Sequence, residues 1–340
     1  MKILTKGEIM NNFKKVGLTA LAGSLAAISA HAAEMSVSGA SVLTYTSEDG
    51  TETTGNPFGM KTNLSFTASG EVNGYTVSYM QTSADQFAGM SSARLSVDMG
   101  DMGTIAFDQG SGSGLGTIDD KTPTAAEEVW DGLDASASTA DHNGLVGATG
   151  ASGVWNYVHT VEGFTFNGAA RKGSSASNAD GASSGAGAGA WDFALTTDGS
   201  SMGMDGLAMG AGYGEAEEGE SGEDKHSTIF ANYSFGMVTA GYQVSAINKN
   251  GATGVDEDTN AWGLAFNINE NLSVSYGERE VEYNNPTSAN ITESGDGVAV
   301  AYTMGSIKVA GNHNEVSNND NAEGVAASDS MTEIAVSFAF

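Results

Sequence analysis

From Glu34 onward the chain is written in segments of roughly ten residues that alternate apolar and polar positions. The last is the plainest: Ile334, Val336, Phe338 and Phe340 point one way, Glu333, Ala335, Ser337 and Ala339 the other. Val238, Ala240, Tyr242 and Val244 alternate with Thr239, Gly241, Gln243 and Ser245. Trp262, Leu264, Phe266 and Ile268 do the same, as do Leu272, Val274 and Tyr276. Period-two alternation ended by Gly, Asn or Asp predicts half-buried strands. About sixteen are expected, at 35–46, 60–70, 74–82, 91–99, 103–109, 152–160, 163–172, 188–197, 204–214, 226–235, 237–248, 259–268, 271–282, 295–304, 306–316 and 331–340.

The connections sort into two classes. Glu71-Val72-Asn73, Gly100-Asp101-Met102, Glu162, Gly236, Glu270 and Gly305 read as tight turns. Between them lie long polar loops: Ser47–Gly59, Ser83–Met90, Gly110–Ala151, Gly173–Gly187, Glu215–Lys225, Lys249–Asp258, Asn284–Ser294 and Ser317–Ser330. Short turns on one side and long loops on the other predict a meandering antiparallel barrel that crosses a membrane. In hydrocarbon every backbone N–H and C=O needs an internal partner, so a spanning sheet must close on itself. A soluble sandwich would also alternate, but its loops would not sort by length. Tyr45, Tyr75, Tyr79, Trp191, Tyr233, Tyr242, Trp262, Tyr276 and Tyr302 fall near strand ends or on the apolar face, where aromatic girdles sit. Taken singly, each could equally be simple packing.

The N-terminus changes the picture by adding export. Asn11-Asn12-Phe13-Lys14-Lys15 is a basic region, Val16–Ile28 an apolar run too short to span as a helix, and Ala30-His31-Ala32 a small-x-small cleavage pattern. Residues 1–32 read as a signal peptide, with Met1–Ile9 an upstream over-extension of the frame and residues 33–340 the mature barrel. Cleavage one residue later, after Ala33, is the alternative.

Charge narrows the partners. The chain has 13 Lys and Arg against 42 Asp and Glu, a net charge of −29. Such a surface argues against nucleic acid and favours cations. Cysteine is absent, which removes disulfides and thiol chemistry. The glycines at 110–116 lack a phosphate-loop ending and its strand-to-helix setting. His142, His159, His226 and His313 show no metal spacing, and no Ser/His or Asp/His constellation stands out. No enzyme and no cofactor are expected.

The segment 110–151 is the exception to the regular pattern. It is loop throughout, opens with Gly110-Ser111-Gly112-Ser113-Gly114-Leu115-Gly116, and carries Asp119, Asp120, Glu127, Glu128, Asp131, Asp134 and Asp141 against Lys121. A loop of that length inside a compact domain is usually functional or disordered.

The Ala30-His31-Ala32 site leading into Glu34-Met35-Ser36-Val37-Ser38-Gly39, the strand count, the long third loop and the terminal Phe340 together resemble the general diffusion porins of Gram-negative outer membranes, the alphaproteobacterial branch above all. The resemblance covers the mature chain at the level of pattern. It implies an outer-membrane homotrimer of sixteen-stranded barrels in contact with lipid and lipopolysaccharide, passing small hydrophilic solutes. It also implies that the third long loop, here 110–151, folds inward as a constriction, and that Phe340 is an assembly signal.

In that family, acids on the loop face basic residues on the wall, and the field between them orients solutes and selects ions. Asp119, Asp120, Glu127, Glu128, Asp131 and Asp134 fit the loop half, although each could be a solvated loop charge. Lys61, Arg94, Arg171 and Lys308 are the candidate wall cations; Arg94 alternates with Leu95 and Val97, which places it on the lumen side. The arginines are Arg94, Arg171 and Arg279, a departure from the family's arginine cluster that implies a mostly negative, cation-preferring pore. A sugar channel would want an aromatic slide, and in the loop only Trp130 offers a start. Asp256, Asp258 and Asp320, read as outer-loop acids, offer hard oxygens for calcium without the spacing of a calcium loop. The competing class is an exported acidic structural protein, a surface-layer or adhesin module, which would lack the terminal aromatic strand and the ten-residue period.

Overall fold

The computed structural model describes residues 34–50, 54–83, 89–109, 112, 114–133, 144–150, 152–173, 189–217, 222–324 and 327–340. The leader, Asp134 and Asp141 lie outside the described residues.

The chain is a closed antiparallel barrel in which each strand pairs with its sequence neighbours and the first pairs with the last. The strands are β1 (Glu34–Gly50), β2 (Phe58–Val72), β3 (Tyr75–Ser83), β4 (Met90–Asp98), β5 (Thr104–Gln109), β6 (Ser152–Val161), β7 (Phe164–Arg171), β8 (Ala190–Thr197), β9 (Leu207–Glu217), β10 (Glu223–Phe235), β11 (Val238–Asn248), β12 (Asp256–Asn267), β13 (Leu272–Asn284), β14 (Ile291–Met304), β15 (Ile307–Ser317) and β16 (Asp329–Ala339). All sixteen predicted strands are present, and β5 ends and β6 begins where the long acidic loop was expected to start and finish.

Closure runs along the β1–β16 register, Ala40↔Ala339 to Gly50↔Asp329. The last residue completes it: Gly39 N–H donates to Phe340 O at 2.9 Å, and Phe340 N–H returns the bond to Gly39 O at 3.0 Å. At the short-turn side, two-residue hairpins need left-handed backbone, which Asn73-Gly74 (φ 53 and 86°) and Glu162-Gly163 (φ 51 and 82°) supply.

The outward face is apolar where lipid would meet it. Val37, Leu43, Phe66, Leu95, Leu195, Ile229, Leu264, Val298, Val300, Ile334 and Phe338 are exposed. All nine predicted girdle aromatics lie on this face, and Trp262 packs edge-on to Tyr276 at 5.6 Å. Tyr213 and Tyr276 each donate to the glutamate one rung further on, Glu215 at 2.6 Å and Glu278 at 2.7 Å. Amphipathic rings thus mark the border between the apolar band and the polar strand ends.

Several strands run further on the long-loop side than alternation predicts. β1 continues to Gly50, β12 begins at Asp256 rather than 259, and β14 begins at Ile291 rather than 295. There the sheet stands in water, and an outward residue need not be apolar: Asp258 faces Glu282, and Glu280 faces Ser294, across unbroken ladders. This corrects the placement of Asp256 and Asp258 on an outer loop. Both belong to β12, and Glu257 between them faces the lumen.

Candidate functional site

The described parts of the long acidic loop, residues 114–133 and 144–150, lie inside the barrel, along the wall. The wall strands hold it with polar side chains presented on the lumen face. On the way in, Gly114 N–H donates to Asn167 Oδ1 on β7 (3.0 Å) and Leu115 N–H to Asp192 Oδ1 on β8 (3.0 Å). Gln243 on β11 accepts Lys121 N–H at 2.6 Å and donates to the carbonyls of Ile118 and Asp119. Asn232 on β10 donates to Lys121 O at 2.6 Å, and Ser275 on β13 accepts Ala125 N–H at 2.9 Å. Asn314 on β15 donates to both Glu128 O (3.0 Å) and Asp131 O (2.9 Å). On the return, Glu257 accepts Gly144 N–H (2.8 Å), His226 accepts Gly147 N–H (3.3 Å), and the second oxygen of Asp192 accepts both Thr149 N–H and its hydroxyl (2.8 and 2.9 Å). A loop inside a barrel leaves backbone donors and acceptors without sheet partners. These side chains satisfy them.

An apolar anchor sits in the same place. Leu115, Ile118 and Val146 from the loop bury against Ala194, Phe230 and Ile247 of the wall. Phe230 and Ile247 break the expectation of a polar lumen because the loop, not water, covers them.

Across the barrel from this anchor, the loop borders an opening of about 460 Å³. Its lining includes Glu127 and Asp131 from the loop, Lys61 from β2, Lys308 from β15 and Glu333 from β16. The structure thus brings two expected loop acids together with two expected wall cations. Carboxylate oxygens of Glu127, Glu128 and Asp131 all lie within 4.8 Å of one another, which makes them the group among the described residues that could hold a metal ion. Glu127 hydrogen-bonds Asp131, and that bond, with burial, pushes Glu127 up to about 7. Burial also raises Glu128 and Asp119, the latter against the pull of Asp120 N–H and Lys121.

The remaining candidates are placed elsewhere. Asp120 holds the loop's own shape: its carboxylate accepts Thr122 N–H and hydroxyl (2.9 and 2.8 Å) and the Trp130 indole (2.8 Å). Trp130 is therefore tied to the loop frame. Arg94 is on the lumen side of β4, paired with buried Asp108 at 2.7 Å and donating to Asn156 at 2.7 Å. Arg279 pairs with Glu293 at 3.2 Å. Arg171 ends β7 and lines a separate cavity with Lys172, Trp191, Glu215, Glu217 and Glu223, away from Glu127 and Asp131. Asp256 accepts Lys249 N–H, Asp258 accepts the Asn284 amide, and Asp320 N–H donates to Glu293; the three do not converge.

A family model described as Gram-negative porin matches residues 17–269, well over half of the chain. The chain belongs to the Gram-negative porin family. It is an outer-membrane β-barrel channel protein. No curated protein matches it in sequence. Among solved structures it is similar to OmpT, an outer membrane protein of Vibrio cholerae (11% identity, 91% of this chain and 98% of that one, TM-score 0.63). It is similar also to an anion-selective porin from Comamonas acidovorans (12%, 91% and 100%, TM-score 0.61) and to a mutant of Rh. blastica porin (14%, 90% and 100%, TM-score 0.56). At these identities the likeness is one of fold.

The wall residues that hold the loop were not singled out in the sequence. Their signal was there: Asn167, Asp192, Asn232, Gln243 and Asn314 each occupy a lumen position in an alternating strand where a small Ser, Thr or Ala would suffice.

Proposed function

We propose that this porin passes small hydrophilic solutes by passive diffusion and prefers cations, and that it works as a homotrimer in the outer membrane. The observation that carries the selectivity is the opening itself, where Glu127, Asp131 and Glu333 outnumber Lys61 and Lys308. The arginines add little to the wall half: Arg94 and Arg279 are neutralised by Asp108 and Glu293. Fixed charges at a narrow point, in a low-dielectric wall, set which ions enter. The lysines opposite the acids leave a short transverse field that would orient dipolar solutes. Residues 1–32 act as the export signal, and the first barrel strand follows almost directly.

The exported surface-layer or adhesin alternative is not favoured, because a closed barrel with loop residues 114–133 held inside has no use on a soluble module. A hydrolase is not favoured either. Thr332, His313 and Glu315 line up at 2.8 and 3.1 Å on the outer face, but the surrounding backbone is paired in the β14–β15–β16 ladders. No N–H of those ladders is spare to hold an oxyanion.

Purified protein added to a planar bilayer tests the reading. Stepwise conductance increments, grouped in threes, are expected; a protein that inserts without conducting would contradict it.

A further inference from the structure

Gly241, Gly263, Gly277 and Gly297 stand directly opposite one another on β11, β12, β13 and β14: the register pairs Gly241↔Gly263, Gly263↔Gly277 and Gly277↔Gly297. The row is flanked by Asn232 on β10, opposite Gly241, and Asn314 on β15, opposite Gly297. None of the four glycines has a left-handed φ, so no backbone conformation demands them. Glycine in a strand interior weakens the strand. Their common property is the space they leave on the lumen face.

The loop occupies that space. A methyl built on Gly263 would stand 2.7 Å from Pro123 O, and one on Gly241 would strike the Pro123 ring. On Gly277 it would lie 3.1 Å from Val129 Cγ1 as well as 3.0 Å from Trp262 O of the neighbouring strand, and on Gly297 3.3 Å from Val129 Cα, besides striking Asn314 Oδ1. The two asparagines at the ends of the row are those that bond the loop backbone at Lys121, Glu128 and Asp131. Residues 121–131 are therefore laid in a bare channel one residue wide, clipped at both ends. The acids at the opening, Glu127 and Asp131, are carried by the seated segment.

We propose that this glycine row is the positioning element of the pore: it sets how far the loop stands off the wall, and with it the width and charge of the opening. The proposal rests on the porin reading. A side chain in the row lifts residues 121–131 towards the axis, narrowing the water path and centring the carboxylates. Gly295→Ala is the matched control. It lies on the same strand as Gly297, and its added methyl meets nothing nearer than 3.5 Å, so it shares the loss of strand glycine without the loop contact; the Val129→Ala rescue separates the loop contact at Gly277 from the one with Trp262 O.

Planar-bilayer recordings of the full-length parent, Gly263→Ala, Gly277→Ala and Gly295→Ala carry the test. Gly263→Ala and Gly277→Ala are expected to lower single-channel conductance roughly twofold and to raise cation preference, with heat-modifiable migration retained, while Gly295→Ala conducts like the parent. Adding Val129→Ala to Gly277→Ala is expected to restore conductance, which a general folding defect would not allow. A second readout is independent of conduction. The chain has no cysteine, so Gly277→Cys with Val129→Cys should oxidise to an intramolecular disulfide seen as a mobility shift. Ladder variants that conduct like the control, or a cysteine pair that stays reduced under oxidant, overturn the proposal. A cysteine pair that crosslinks while the folded parent forms no channel would overturn the porin reading and leave the seat itself standing.

Discussion

Glu127 hydrogen-bonds Asp131 at the opening, and that sets how the pore answers pH. With Glu127 raised to about 7, its carboxyl holds a proton below that value and releases it as pH rises through it. The pore gains a negative charge in the same interval, so cation preference should increase from about pH 6 to about pH 8. Reversal potentials at the two pH values check this, and the dependence should vanish in Glu127→Gln. Arg94 is argued at the same scale. Removing it leaves Asp108, 1% exposed, without its guanidinium in the wall, at a cost of about 3 kcal/mol. Arg94→Leu should lower the temperature at which the folded barrel loses its heat-modifiable form, and Asp108→Asn added to it should recover most of the loss.

The inward loop is an element built by its surroundings. Asp192 holds both arms, through Leu115 N–H and Thr149, and Leu115 is wholly buried beside it. Leu115→Ala removes an apolar anchor worth about 2–5 kcal/mol, which should release the entry arm and give noisier, larger conductance steps while the barrel's thermal transition stays in place. The extent of this element was legible in the sequence because the alternating strands stop at Gln109 and resume at Ser152. Its direction was legible only through the family resemblance. What could not be read was the seat. Gly241, Gly263, Gly277 and Gly297 look like four unrelated strand glycines until the register sets them in a row, and Phe230 and Ile247 look misplaced on a water-facing wall until the loop covers them. Asp120 and Glu127 are both loop acids in sequence, yet one ties the loop to itself and the other faces the opening. Asp120 finds its partners within the loop, at Thr122 and Trp130, whereas Glu127 is placed among wall residues far along the chain. Asp256 and Asp258 were misplaced for a related reason: above the lipid, the pattern that marks a strand no longer has to hold.

For the whole molecule, closure and charge are the two properties that matter. The seam between β1 and β16 ends in the reciprocal Gly39–Phe340 bonds, so the terminal residue completes the ladder as well as presenting an aromatic ring. Deleting Phe340 should slow assembly, seen as a larger heat-unmodifiable fraction during expression. The net charge of −29 surrounds the pore with acids at its mouth, but distant exposed charges are screened by salt over about 10 Å at 0.1 M. Selectivity that survives high salt must therefore come from the opening. The most direct measurement is the reversal potential of single channels in a steep potassium chloride gradient, for the parent and for Glu127→Gln with Asp131→Asn. A potential of the cation-selective sign, with a permeability ratio that falls roughly threefold in the double variant, is the expected result. An anion-selective parent, or a double variant with the parent's reversal potential, would contradict the assignment of these loop carboxylates as the charges that set the pore's sign.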